Sequence, residues 1–336
     1  MKKYFILYAN CIPVKGFSRS IICDLQSRKF EFIPNDLFSI LTKYKKLSIN
    51  EIIDVYGIDN KEVVDDYYSF LEKNDFGFWS ENLIPELVPL SLRWDSPQTI
   101  TNALIDVNRN SDLPFKKICE ELDELNCSAL ELRFFYSINF KELNKILLNF
   151  IRSTLRSINI LVEYSNSYTE SSISKLLKKH SRVFQINISN SPFYKNVRIL
   201  NDSVSVNYFE LKINSNSCCG KIHPKYFSIN IEHFTESISN NTCLNRKIAI
   251  DEYGEIKNCP SMSKGYGKIK NTTLQEAINH IDFKKYWAIK KDQVAICKDC
   301  EFRYICTDCR VYIQNKEDIY SKPKKCNYNP YTTKWE

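Results

Sequence analysis

Cys297-Lys298-Asp299-Cys300-Glu301-Phe302-Arg303-Tyr304-Ile305-Cys306-Thr307-Asp308-Cys309 sets four thiols within thirteen residues. Thiolates can face one metal centre only if the backbone doubles back within a few residues, and such short spacings are how chains wrap zinc or iron–sulfur centres. Upstream, Cys243 is followed after ten residues by Gly254 and after four more by Cys259; downstream, Cys326 follows Cys309 after sixteen. These seven cysteines, of thirteen in the chain, all fall in its last 94 positions. The region is built to hold metal.

The rest of the composition bounds what surrounds that centre. A chain of 336 residues, 43% hydrophobic and 13% aromatic, is globular and long enough for two or three domains. The short apolar run Tyr4 to Ala9 is broken by Asn10, and no small-residue cleavage site follows it. No apolar stretch reaches the roughly 20 residues that span a bilayer. The expectation is a cytoplasmic, reduced protein without a membrane partner, its cysteines serving as ligands or core fillers. Of the net charge of +7, the stretch from Cys243 onward carries 18 Lys and Arg against 12 Asp and Glu, hence +6. That excess reads either as a solvated basic face or as compensation of an anionic thiolate–metal assembly. Nucleic-acid binding is disfavoured, because the lysines are scattered and carry no helix-turn-helix or aromatic stacking pattern beside them.

At the N-terminus, Phe5 to Pro13 and Ser20 to Ile33 are β-rich runs parted by the turn signal Lys15-Gly16-Phe17-Ser18. Asn35-Asp36 opens a helix with Leu37, Phe38, Ile40 and Leu41; Ser48 and Glu51 form a capping box ahead of Ile52, Ile53 and Val55. A third helix carries Val63, Val64, Tyr67, Tyr68 and Leu71, and Phe76-Gly77-Phe78-Trp79 reads as a closing wing. Residues 1–90 thus predict a winged-helix-like module, with a Pro-marked linker at about Glu81 to Asp95. Cys11 and Cys23 lie in the strand patterns as fillers. The order of elements resembles the peptide-recognition domain of enzymes that modify ribosomally made peptides. That resemblance implies docking of a precursor's leader as an added strand; the same pattern also describes DNA-reading winged helices.

From Gln98 strand and helix alternate: Ala103–Val107, a helix lined by Phe115, Ile118, Cys119, Leu122 and Leu125, Ala129–Phe134, a helix from Phe140 to Ile151, Ile158–Glu163, a helix over Ser172–His180, and Val183–Ile188. Repeated βα units predict parallel strands and a whole or partial α/β barrel over residues 96–240. The arrangement resembles radical S-adenosylmethionine enzymes, whose C-x3-C-x2-C triplet sits in the loop after the first strand. Laid on that pattern, the three positions are Ser111, Phe115 and Ile118, and none can hold iron as a thiolate does. Arg133-Phe134-Phe135-Tyr136 likewise lacks the family's glycine-rich acidic turn. The resemblance therefore implies the fold without radical chemistry, and S-adenosylmethionine is not expected as a cofactor. There is no G-x-G-x-x-G or P-loop, and His180, His223, His233 and His280 lie far apart. Cys218-Cys219-Gly220 with His223 could add a cluster ligand or form a tight turn that needs Gly220.

The tail is similar to the SPASM domain, the auxiliary-cluster module of radical enzymes that act on peptides, defined by C-x9–15-G-x4-C, C-x2-C-x5-C-x3-C and one further cysteine. Cys306 and Cys309 are separated by two residues where the family has three. The resemblance implies a SPASM iron–sulfur domain at 241–336 with two 4Fe-4S clusters. Cys243, Cys259 and Cys309 would hold the first, its fourth iron site open or filled by another ligand; Cys297, Cys300, Cys306 and Cys326 would hold the second. A pair of structural zinc sites is the alternative. Locally, Ile248–Asp251 and Glu255–Lys257 predict a hairpin turning at Tyr253-Gly254, and Thr273–Trp287 a helix. The fold class expected is α/β: winged-helix-like module, partial radical-SAM-like barrel, cysteine-rich SPASM tail. As a whole this resembles the SPASM-domain peptide maturases of grasp-with-spasm systems, implying a precursor peptide and an ATP-grasp ligase as partners. Two other functions stay open: a redox or peptide-modifying enzyme using an open cluster site, and a zinc-stabilised adaptor or nucleic-acid-binding protein.

Overall fold

In the computed structural model, which describes residues 2–200 and 202–336, the chain forms two compact units. The first gathers Met1–Asp95, Ile222–Thr242 and Ile289–Glu336; the second gathers Ser96–Lys221 and Cys243–Ala288.

In the first unit each β-rich run breaks in two. β1 (Tyr4–Leu7) and β2 (Cys11–Val14) part at Asn10, and β3 (Ser20–Asp24) and β4 (Lys29–Ile33) part at a turn where Arg28 has φ 57°. The Asp24 carboxylate closes that turn, accepting from Gln26 N at 3.0 Å, Ser27 N at 2.9 Å and Asn10 Nδ2 at 2.7 Å. This is a side chain standing in for backbone partners that an irregular turn lacks. β2, β3 and β4 form an antiparallel sheet in that order. Next come α1 (Asn35–Thr42), α2 (Ile49–Tyr56), α3 (Lys61–Lys73) and β5 (Gly77–Ser80). The segment expected as a wing, β5, pairs with β1 in a separate two-stranded ribbon. Aromatic rings hold it there: Phe5 meets Trp79 at 5.3 Å and Tyr68 of α3 at 5.5 Å.

The Ser48–Glu51 capping box forms as expected, with Ser48 N donating to Glu51 Oε2 at 2.8 Å. Ser48→Ala is expected to cost about 1 kcal/mol, seen as a lower urea midpoint at unchanged slope.

Because side chains alternate along a strand, the β2–β4 sheet has two apolar faces. Cys11, Ile22 and Ile33 pack on Leu37, Ile40, Ile52 and Leu71 of the three helices. Val14, Ile21 and Cys23 pack on Phe302, Ile305 and Cys306. One small sheet is thus shared between the helices and the cysteine-rich stretch.

The second unit starts with β6 (Asn102–Val107), α4 (Phe115–Glu124), β7 (Ala129–Phe134), α5 (Phe140–Leu148), β8 (Ser157–Glu163), α6 (Glu170–Leu177) and β9 (Val183–Ser189). A hairpin, β10 (Lys195–Ile199) and β11 (Val204–Tyr208), follows. α7 (Ile231–Ser239) belongs to the first unit; β12 (Lys247–Ile250), β13 (Ile256–Lys257) and α8 (Leu274–Asn279) belong to the second; β14 (Tyr328–Asn329) and β15 (Lys334–Trp335) complete the first. The fold is mixed α/β around a large mixed sheet ordered β10-β11-β9-β8-β7-β6-β12-β13. Its six central strands are parallel and its two edge strands antiparallel. Among the described residues β10 and β13 do not pair with each other, so the sheet is open. One face carries Ile105, Leu132, Ile160, Ile186 and Ile248, packed with Ile118, Leu122, Leu143 and Ile173 of the helices. The opposite face carries Asp106, Arg133 and Lys247.

The helix expected over 273–287 stops at Asn279. A capping box starts it, with Thr273 N donating to Glu276 Oε2 at 2.7 Å. Continuing it would bring Ile281 and Lys285 onto the stripe of Leu274, Ala277 and Ile278 and carry Phe283 away from it. The chain instead turns at His280, leaving Ile281 91% exposed and burying Phe283 completely. No helix among the described residues is long and apolar enough to cross a membrane.

Candidate metal centres

The knuckle in the first unit is made by successive tight turns. Cys300 N donates to Cys297 O at 3.0 Å, Cys306 N to Phe302 O at 3.0 Å and Cys326 N to Pro323 O at 3.1 Å. The β2–β3 loop clamps it from outside: Phe17 N donates to Asp299 O at 2.8 Å, Arg303 donates to the Lys15 carbonyl, and Arg19 Nε meets Glu301 Oε1 at 2.9 Å. The approach is close enough that a Cβ on Gly16 would lie 2.9 Å from Glu301 Cβ and 2.3 Å from Arg19 O, so only glycine fits.

This places Cys297 and Cys306 within electrostatic reach of each other and of both Cys300 and Cys326. Cys297 and Cys306 are buried; Cys300 and Cys326 are half-buried. Burial pushes the Cys297 thiol up to about 12, with Lys291 pulling the other way. Burial also raises Cys306, again opposed by Lys291.

Lys291 is only 5% exposed. Its Nζ donates to Cys306 Sγ at 3.0 Å and to Thr307 O at 3.1 Å. Burial alone would lower its proton affinity, yet Cys306, Cys297 and Asp308 together raise it. Asp308 is itself engaged with Arg310 Nη2 at 2.6 Å. A buried ammonium against a neutral thiol is left uncompensated, whereas against a thiolate it is half of an ion pair. The donor set therefore fits an anionic metal–thiolate group. All-cysteine ligation suits a 4Fe-4S cluster or tetrahedral zinc.

The second unit repeats the arrangement. The β12–β13 hairpin turns at Gly254, φ +79°, with Gly254 N donating to Asp251 O at 2.9 Å. It brings Cys243 and Cys259 within electrostatic reach; burial, then Cys243, pushes Cys259 up to about 12. Lys247 Nζ donates to Cys243 Sγ at 3.7 Å. Burial lowers the proton affinity of Lys247, but Cys243, Cys259 and Cys219 outweigh it. Exposed Cys219 thus joins Cys243 and Cys259 around one lysine. Cys309, grouped with them by position in the sequence, is buried in the first unit, where Tyr312 N donates to its sulfur at 3.4 Å. Neither Lys291 nor Lys247 is marked by a local motif, because nothing in the residues beside a lysine says that the fold will bring it against a cysteine sulfur.

Among the described residues no three His, Cys, Asp or Glu side chains stand as a ready-made site for a single metal ion. The loop between β6 and α4 is pinned by Ser111, whose Oγ accepts from Asn108 N at 2.9 Å and donates to Glu252 O at 2.7 Å. Ile118 lies wholly in the core. On the sheet's other face Arg133 donates from Nε and Nη2 to the two Asp106 oxygens at 2.7 and 2.9 Å. His180 is satisfied by Asn144 Oδ1 at 2.9 Å, and the His223 and His280 rings each accept from a nearby backbone N–H.

No family model and no curated protein matches the chain. Among solved structures it is similar to Streptococcus suis SuiB bound to S-adenosylmethionine, at 9% identity and a TM-score of 0.37 over 95% of this chain and 98% of that one. It is similar also to Streptococcus suis SuiB bound to precursor peptide SuiA, at 8% identity and a TM-score of 0.29 over the same shares of the two chains.

Proposed function

We propose that the chain is an iron–sulfur maturation factor for a ribosomally made peptide, binding the precursor and working with an ATP-grasp ligase, without radical chemistry of its own. The carrying observation is Lys291, buried and bonded to Cys306 Sγ at 3.0 Å. Cys297, Cys300, Cys306 and Cys326 would hold one 4Fe-4S cluster. Cys243 and Cys259 would hold a second, with Cys219 as a further thiolate. When bound, such clusters supply one-electron transfer.

Precursor binding is supported by the β2–β4 sheet. β2 carries Pro13, which offers no N–H, while β4 is an edge strand free of proline and paired with β3 alone among the described residues. An extended peptide can add to such an edge through main-chain hydrogen bonds. The absence of radical chemistry is supported by Ser111, Phe115 and Ile118, none of which can ligate iron as a thiolate does. A second reading, a redox or peptide-modifying enzyme, is favoured by the trio Cys219, Cys243 and Cys259, since three thiols leave one iron of a cubane without a thiolate.

Anaerobic purification with iron, sulfide and zinc assays tests the metal. About eight irons per chain is the expected result for two cubanes; zinc alone turns the case to a zinc-stabilised adaptor. The labelled precursor encoded beside the protein is expected to raise fluorescence anisotropy on binding, and Phe32→Asp, on the exposed part of β4, to weaken it with the circular dichroism unchanged. Dithionite-reduced protein is expected to release no 5'-deoxyadenosine from S-adenosylmethionine; its release would defeat the non-radical reading.

A further inference from the structure

We infer that Lys291 is a positioning residue that sets the reduction potential of the first unit's cluster above that of the same four cysteines without it. This rests on the reading that Cys297, Cys300, Cys306 and Cys326 hold 4Fe-4S. Two observations around the lysine carry it. Its Nζ lies 3.0 Å from Cys306 Sγ, a direct N–H to sulfur bond. Asp308, the carboxylate whose charge acts on it, is already engaged by Arg310 at 2.6 Å and by Asn241 Nδ2 at 2.9 Å, so much of the ammonium's charge is left to the sulfur.

Taking up an electron makes a thiolate-bound cluster more negative. A fixed positive charge and an N–H donated to a ligand sulfur both favour that reduced state, most strongly where water is excluded. Lys291 supplies both from a site closed to solvent. Lys247 is partly exposed and holds its sulfur at 3.7 Å, so the same effect on the other centre is weaker.

The test is an EPR-monitored redox titration in full-length protein carrying Cys243→Ala and Cys259→Ala, so that one centre is read. Lys291→Met is expected to shift the midpoint to more negative potential with iron and sulfide content unchanged. Lys291→Gln, which keeps a donor without the charge, is expected to shift it less. An unmoved midpoint in a fully loaded Lys291→Met variant overturns the role of Lys291 while leaving the cluster assignment intact. If that variant fails to load, Lys291→Gln decides by the same criterion. Absence of iron and sulfide from the parent protein overturns the assignment itself, and this inference with it.

Discussion

Cys306→Ala is expected to remove about four irons per chain and to destabilise the first unit by about 3–5 kcal/mol, the cost of leaving a buried charge without its partner. Two losses combine. Cys306 is 6% exposed and lies in one core with Phe302, Ile305 and, from β3, Ile21 and Cys23. Its removal also leaves the Lys291 ammonium buried without the sulfur that balances it. The second loss can be isolated. Lys291→Met alone strips the charge and keeps the sulfur, and in Cys306→Ala/Lys291→Met no charge remains to be stranded. The double variant is expected to be more stable than Cys306→Ala, a coupling readable from a double-mutant cycle. Urea unfolding monitored by circular dichroism gives the stabilities, and a ferrozine assay gives the iron. Equal stability of the double and single variants would mean that Lys291 does not face an anionic sulfur.

The same residues show how far a sequence can be read. Local order was legible: the capping boxes at Ser48 and Thr273 depend on four consecutive residues, and the strands from β6 to β9 announce themselves by alternation. The turns that cluster Cys297, Cys300 and Cys306 are likewise within a few residues of each other. What was not legible is contact at long range. The clamp of Phe17 and Arg19 on Asp299 and Glu301 spans some 280 residues, and no spacing rule connects them. Cys219 joins Cys243 and Cys259 through the fold of the second unit, not through a motif. Period also misled at 273–287: the apolar count there suits a longer helix, but burying Phe283 requires the chain to turn at His280.

Arg133→Met is expected to destabilise the second unit by about 3–5 kcal/mol near neutral pH, and by less in acid. Arg133 and Asp106 are register partners on β7 and β6, bonded through both carboxylate oxygens, and Asp106 is wholly buried. Burial pushes the Asp106 carboxyl up to about 6 even against the pull of Arg133. A carboxyl whose folded value lies above its unfolded value binds its proton more tightly when folded. Its contribution is therefore fully present below about pH 4 and is lost as the pH rises through about 6. Without Arg133 the carboxyl rises further, so the loss extends to higher pH, and the gap between variant and parent widens from pH 5 to pH 7.5. Urea titrations at those two values test this; a gap independent of pH would mean that Asp106 is ionised throughout. Asp106→Leu/Arg133→Met, an apolar pair of similar bulk, is expected to recover most of the stability, since buried ion pairs are commonly replaced by apolar groups at little cost. Should that variant fold as well as the parent yet lose precursor binding, the pair would be acting in recognition and not in stability.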